Sequence, residues 1–214
     1  MIGAGRSSIR PARSDDAAFI ARIVLAAQRG PQPRGWFDIA LDRPEPECLA
    51  FMARLAVARV RSWYHFAHFL IADVDGVPTA ALCAMPASGT VVAARAAIEE
   101  VAAETGMDAD AIVARGSYAR HCWVQGGEGD WLIEHVARQA SGRSLGLVQA
   151  LIGRALADGK AAGFARASIS FLIGNDAAEH CYGRAGFAFA EEKRDAAFEA
   201  LTGAPGFRRF ARAI

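Results

Sequence analysis

Lysine is almost missing from this chain. Of its 24 basic residues only Lys160 and Lys193 are lysines, and the arginine excess, with the many alanines, reads as genome composition. Cysteine is sparse too. Cys48, Cys83, Cys122 and Cys181 stand far apart and form no C-x-x-C pair. That spacing indicates neither a zinc module nor a disulfide framework, so a reduced, cytoplasmic setting is expected. Neither sign of charge dominates. The net charge is +1, and no bulk electrostatic argument points to nucleic acid or to an anionic membrane. No apolar run approaches the length of a membrane span, and the opening "MIGAGRSSIR" has no apolar signal region. His121-Cys122 and the His65/His68 pair lack further ligands at useful spacing, so no metal is expected. Two phosphate motifs are also absent: no Gly-Lys-Ser/Thr and no G-x-G-x-x-G.

What is present is ordinary globular composition: 214 residues, 53% hydrophobic and 22% charged. That is enough for one large domain or two small ones. A short strand around Ile9 precedes a helix capped by Ser14 or Asp15, with Phe19, Ile20, Ile23, Val24 and Ala27 on one face. Residues 30–46, with four prolines, read as a loop, and "ECLAFMARLAVARVRSWYHF" as a helix. "HFLIADVDGVPTAALCAM" reads as a hairpin turning at Asp75-Gly76, a pair that tolerates positive φ. Residues 90–104 and 107–114 read as helices. "SYARHCWVQGGEGD" fits a strand and a Gly-rich turn. "WLIEHVA" reads as a buried strand. "LGLVQALIGRALADG" has an apolar helical stripe, and "ARASISFLI" alternates as a strand. "FAFAEEKRD" and "GFRRFARAI" close the chain as two strands. With no repeat and no low-complexity linker, one domain over residues 1–214 is expected.

Two stretches carry the chemistry. The first, "QASGRSLGLVQALI", lies between a strand and a helix. Small residues there let backbone N–H groups point outward at a helix N-terminus, which favours a phosphate, and Arg143 can add a charge-assisted contact. Taken alone, the same stretch reads better as a plain strand-to-helix turn. The second is "NDAAEHCYGRAGF", residues 175–187. Asn175 or Asp176 caps a short helix, Asp176-x-x-Glu179 makes a capping box, and Gly186 suits a left-handed C-terminal position. Ala177, Ala178 and Cys181 keep one side small, and Tyr182 shares the face of Ala178. By itself this tyrosine fits a packed residue bonded to backbone.

In order, strand, small-residue turn, amphipathic helix, strand and then N-x-x-A-x-x-x-Y-x-x-x-G-F resemble the GCN5-related N-acetyltransferase (GNAT) family. The resemblance is best over residues 131–190 and weaker over the N-terminal strand–helix and the Asp-Gly hairpin. It implies an α+β fold with a mixed, mostly antiparallel central sheet flanked by helices. It implies acetyl-CoA as cosubstrate and transfer of an acetyl group to an amine by direct attack in a ternary complex. The family's loop, Gln/Arg-x-x-Gly-x-Gly/Ala, falls on Gln139, Gly142 and Ser144, with Ala140, Ser141 and Arg143 between them; a second register uses Ser141, Ser144 and Gly146. In either register a serine replaces a small Gly or Ala.

The resemblance further implies a bulge near the end of "WLIEHVA". There the backbone of Glu134, His135 and Val136, within about two residues, would hold the pantetheine arm and meet the thioester oxygen. Glu134 is a candidate general base, directly or through water; the competing reading is a solvent-facing charge at a strand end. Asn175 would contact the CoA arm. Tyr182 would protonate the departing thiolate, a role consistent with a phenol pKa near 10 beside a thiol near 8.5. The acceptor, a small-molecule or peptide amine, would lie between residues 30–66 and the segment 86–130. That segment is longer than a minimal core needs and reads as an insertion on the acceptor side. Trp36, Phe37, Trp63, Tyr64 and Trp123 are candidates for its lining. Two rival readings are a catalytically degenerate CoA-binding sensor or interaction module and an unrelated α/β nucleotide-binding protein. A homodimer is also compatible with the sequence, and neither nucleic acid nor membrane is expected as a partner.

Overall fold

The protein is described from a computed structural model, which covers residues 6–139 and 146–214. Seven strands form one sheet: β1 (Ser7–Pro11), β2 (Phe69–Val74), β3 (Val77–Pro86), β4 (Trp131–Arg138), β5 (Arg166–Leu172), β6 (Ala188–Arg194) and β7 (Gly206–Ala213). Their order is β1-β2-β3-β4-β5-β7-β6. Every neighbouring pair is antiparallel except β4 and β5. The sheet is therefore α+β in kind, mixed and mostly antiparallel, as the sequence suggested.

Five helices lie over one face: α1 (Ala17–Arg29), α2 (Trp36–Leu41), α3 (Glu45–Leu55), α4 (Thr90–Thr105) and α5 (Ala109–Gly116). Two cover the other: α6 (Leu147–Ala161) and α7 (Asp176–Arg184). Strand alternation sorts the sheet residues between them. Ile71, Ala81, Cys83 and Leu132 pack towards α1–α5, while Leu70, Leu82, Ile133 and Ile169 pack towards α6 and α7. Each large apolar side chain buried this way contributes about 1.5–3 kcal/mol. The β2–β3 hairpin turns at Asp75 (φ 52°) and Gly76 (φ 81°), two successive positive φ values that match the twist of the strands.

The structure corrects the sequence reading in several places. Residues 30–46 are not all loop, because α2 forms inside them. Gly35 starts it, and its N–H donates to the Asp38 carboxylate at 2.7 Å, while Phe37, Ile39, Ala40 and Leu41 are buried. The following helix stops at Leu55 instead of continuing to residue 66. The stretch 117–130 holds no strand; it begins with a 3-10 turn over Ser117–His121 and ends in the expected Gly-rich turn, where Asp130 N–H donates to the Gly127 carbonyl at 2.9 Å. A short helix unforeseen from the sequence, α8 (Ala196–Thr202), sits between β6 and β7, its first turn capped by Asp195 Oδ1, which accepts from Phe198 N at 2.8 Å. Asn175, not Asp176, caps α7, and no Asp176–Glu179 capping box forms.

A cleft where two strands part

β4 and β5 are hydrogen-bonded for only three residue pairs, Trp131–Ala167, Leu132–Ser168 and Ile133–Ile169. Beyond Ile133 the strands separate, and the backbone of β4 has no strand partner on that side among the described residues. A bulge accompanies the parting. Two steps along β3, from Ala81 to Cys83, oppose three along β4, from Ala137 to Glu134. The extra residue is His135, held at φ 52° although it is not glycine. The bulge breaks the alternation. Glu134 pairs across the sheet with Cys83 and so shares its face, and His135 lies on that face too, stacked on Tyr64 at 5.4 Å, while Val136 packs on the α6 side.

A cavity of about 930 Å³ fills the opening. Glu134, His135 and Val136 line it from β4, Gly146 and Leu147 from the start of α6, and Asn175, Ala178 and Tyr182 from α7. All of these except Leu147 are residues that the sequence reading had brought together. α7 is fixed in place from two sides. Gln149 Nε2 of α6 donates to the Cys181 carbonyl at 2.6 Å, and Arg208 of β7 bridges Glu179 of α7 (2.6 Å) and Glu192 of β6 (2.8 Å).

Glu134 is half-buried and, among the described residues, has no hydrogen-bond or ion-pair partner. Burial pushes its carboxyl up to about 8. Burial likewise takes the His135 imidazole down to about 3, so it is neutral at physiological pH. Tyr182 is 6% exposed, with its ring edge-on to Phe171 at 5.4 Å. The hydroxyl has no hydrogen-bond partner among the described residues, unlike a tyrosine whose oxygen serves only to satisfy backbone. Burial, then the Cys181 thiol and the Glu134 carboxyl, raise its pKa above the ordinary phenol value, so the proton stays on the oxygen.

On the cofactor side, Asn175 is the chain's only asparagine. Its Oδ1 accepts from Ala178 N at 3.2 Å, which leaves Nδ2 as its remaining donor on the cavity wall. Gln139 continues the β3 pairing through its N–H to the Thr79 carbonyl (2.8 Å). Ala140, Ser141, Gly142, Arg143 and Ser144 lie outside the described residues. α6 then opens from Gly146 at φ 71°.

The other end of the cavity is aromatic. Trp36 and Trp123 line it, as the sequence suggested; Trp63 and Tyr64 lie behind the wall, and Phe37 is fully buried in the core. Sequence reasoning missed Tyr118, Phe198 and Phe207. Phe198 follows an unread helix cap at Asp195, a signal that was present. Trp36 is locked by its Nε1–H to the Gly116 carbonyl at 2.9 Å, and a Cβ on Gly116 would collide with its ring. Two buried polar atoms on this wall, Trp123 Nε1 and His135 Nε2, have no hydrogen-bond partner among the described residues. Among the described residues no group of three or more His, Cys, Asp or Glu side chains is placed to hold a metal ion. No helix there is long and apolar enough to cross a membrane.

No protein-family model matches the chain, and no curated protein matches it. Solved structures do. An acetyltransferase crystal structure superposes with a TM-score of 0.71 at 17% identity, over 97% of this chain and 99% of the other. An N-acetyltransferase from Staphylococcus aureus Mu50 gives 0.68 at 17% identity, over 96% and 100%. An acetyltransferase of the GNAT family from Streptococcus pneumoniae gives 0.53 at 14% identity, over 98% and 99%. The chain has the GNAT fold. Within that fold, the parting of β4 from β5 and the bulge at His135 lie where the resemblance had implied them, on residues 134–136.

Proposed function

We propose that the protein is an acetyl-CoA-dependent N-acetyltransferase acting on a small-molecule amine. The observation that carries this reading is the pairing, in one cavity at the strand split, of an unpartnered carboxyl at about 8 with an unpartnered, protonated phenol. Acyl transfer to an amine needs both: a group that accepts a proton near neutral pH and one that donates to the leaving atom. The neighbours agree in kind. One from Salmonella typhimurium was solved with acetyl-CoA as its cofactor, and a Drosophila melanogaster polyamine N-acetyltransferase forms N-acetylagmatine.

The cavity suits the cosubstrate. The unpaired β4 backbone past Ile133 offers amides to an extended arm, and Ala177 and Ala178 keep the α7 wall low. Asn175 Nδ2 supplies a donor, and residues 139–146 lead into the α6 N-terminus, where backbone N–H groups favour phosphate. Acetyl-CoA supplies an activated acyl carbon and a thiol as leaving group.

Glu134 takes the proton of the attacking amine, directly or through one water, as the new C–N bond forms. A β4 amide near Val136 donates to the acyl oxygen while negative charge grows there. Tyr182 gives its proton to the sulfur as the C–S bond breaks, and the proton held by Glu134 returns through solvent in the cleft. The amine attacks directly in a ternary complex, so the cavity of about 930 Å³ holds both reacting groups at once.

The test has two parts. Acetyl-CoA at about a hundred times its Kd should raise stability by roughly 2.7 kcal/mol, read as a higher Tm. Tyr182→Phe should then keep that shift while kcat falls by roughly 10²–10⁴. No Tm shift at millimolar acetyl-CoA overturns the reading, and full turnover by the phenylalanine variant removes Tyr182 from the chemistry.

A further inference from the structure

Two features of the acceptor end speak about the body of the amine. The first is an unbroken run of ring contacts. Tyr118 stacks on Phe198 at 5.5 Å, Phe198 meets Phe207 at 5.2 Å, Phe207 meets Trp123 at 5.2 Å, and Trp123 meets Trp63 at 5.7 Å. Trp63 in turn lies 6.4 Å from His135, the neighbour of Glu134. Tyr118, Trp123, Phe198 and Phe207 all line the cavity that Glu134 also lines, so this end of it has a continuous aromatic wall.

The second feature is charge. Among the described residues Glu134 is the sole carboxylate lining the cavity, and it serves the reacting nitrogen. The nearest others are committed elsewhere. Asp38 holds Arg29 at 2.6 Å and the Gly35 N–H at 2.7 Å, and Glu45 holds Arg29 at 2.7 Å. The charge this end does present is positive: Arg34 lines the cavity, and its field reaches Tyr118. The field of Asp38 reaches Tyr118 as well, but a second cation on the acceptor would find no further carboxylate on the cavity lining among the described residues, and would lie beside Arg34. Trp123 Nε1 and His135 Nε2, buried polar atoms of the cavity lining with no hydrogen-bond partner among the described residues, mark the same end as incomplete without a ligand.

We infer that the acceptor is an arylalkyl monoamine: one primary amine, presented to Glu134, on an aromatic body lying along the Tyr118–Phe198–Phe207–Trp123 wall. Flat rings gain from offset and edge contacts with such a wall, and an uncharged body avoids Arg34. Diamines and guanidino-amines, the kind used by the polyamine-acetylating neighbour, are disfavoured by the same two features.

The inference rests on the acetyltransferase reading, and one set of measurements separates the two. Thermal shift with acetyl-CoA comes first; its absence overturns the activity and this inference together. With binding in hand, thiol release is followed for 2-phenylethylamine and tryptamine against agmatine and spermidine. The arylalkylamines should lead in kcat/KM by roughly tenfold to a hundredfold. Equal or better use of agmatine or spermidine overturns the inference alone, as does acetyl-CoA binding with no turnover of either arylalkylamine. Arg34→Glu, at an exposed position, should move the kcat/KM ratio by about tenfold towards the dications, with an unchanged acetyl-CoA thermal shift as the control for folding. Trp123→Leu should lower kcat/KM for tryptamine by about tenfold while leaving the acetyl-CoA thermal shift intact. An unchanged ratio or an unchanged kcat/KM would show that Arg34 and the aromatic wall do not face the acceptor, and would overturn the inference.

Discussion

Asp130 and Glu134 stand four residues apart, at the two ends of the β4–β5 junction, and the chain treats them oppositely. Asp130 sits where the strands are zipped. It is 1% exposed, and its carboxylate accepts from Arg166 Nε at 2.5 Å and from Gly127 N at 3.0 Å, with Arg209 3.9 Å away. Glu134 sits where the strands have parted. It is only half-buried, has no partner among the described residues, and is pushed up to about 8. A buried charge is expensive unless it is paired, so an unpaired one persists where something outside the chain completes it. The closed end is built for holding together, and the open end is left for a substrate.

That contrast is most exposed to test at Glu134. Glu134→Gln keeps shape and loses basicity, so kcat should fall by roughly 10²–10⁴ with acetyl-CoA binding retained. The parent's kcat/KM should rise with pH through an inflection near 8, and the variant should lack that limb. A glutamine variant with the same pH profile would assign the inflection to another group.

Asp130→Asn should do the reverse. It leaves Arg209, 15% exposed, facing a neutral amide, and should cost about 3 kcal/mol in denaturant unfolding, with turnover per folded molecule unchanged. An asparagine variant of undiminished stability would erase the contrast between the two ends.

The third test reads Glu134 through stability. With its pKa raised, the folded chain holds a proton that the unfolded chain has released between the ordinary carboxyl value of 4.5 and about 8. Folding stability from this group is therefore lost as pH rises through that window and is level above it. Glu134→Gln lacks the decline. It should match the parent near pH 5 and exceed it by roughly 1–3 kcal/mol at pH 9, measured by denaturant midpoints. A gap that does not grow with pH would mean the carboxyl finds a partner in solution.

The smallest effect is expected from Arg166→Ala. Arg166 is 54% exposed and Arg209 remains beside Asp130, so the loss should be about 0.5–1 kcal/mol. A loss as large as that of Asp130→Asn would make Arg166, not Arg209, the partner that matters.

Much of the cleft's frame was legible because it is local. Alternation in "ARASISFLI", the Asp75-Gly76 turn and the Asn175 cap each fix a few neighbouring residues, and those readings held. The run Glu134-His135 was a visible fault in an otherwise apolar strand. What escaped was non-local. Phe207 and Phe198 become wall residues only because β7 lies beside β5 and α8 packs near the 3-10 turn at Ser117–His121, and no short window records that. Residues 30–46 misled because four prolines outweighed a six-residue helix whose stability comes from burying Phe37, Ile39, Ala40 and Leu41. Trp63 and Tyr64 were placed on the cavity but stand one layer behind it, a distinction that depends on packing depth.

The extra residue in β4 sets the phase of everything after it. Were β4 pleated regularly, Glu134 and His135 would point to opposite faces and Val136 would turn its methyls towards α1. Counting His135 as a spacer puts carboxyl and imidazole side by side and returns Val136 and Ala137 to the faces their chemistry suits. A chain lacking His135 would keep every remaining strand residue in phase, so its core would register no change of face. What it would lose is the kink, and a straightened β4 could extend its three-pair ladder with β5 and seal the cleft. In this fold one inserted residue separates an ordinary sheet from a sheet with a door in it.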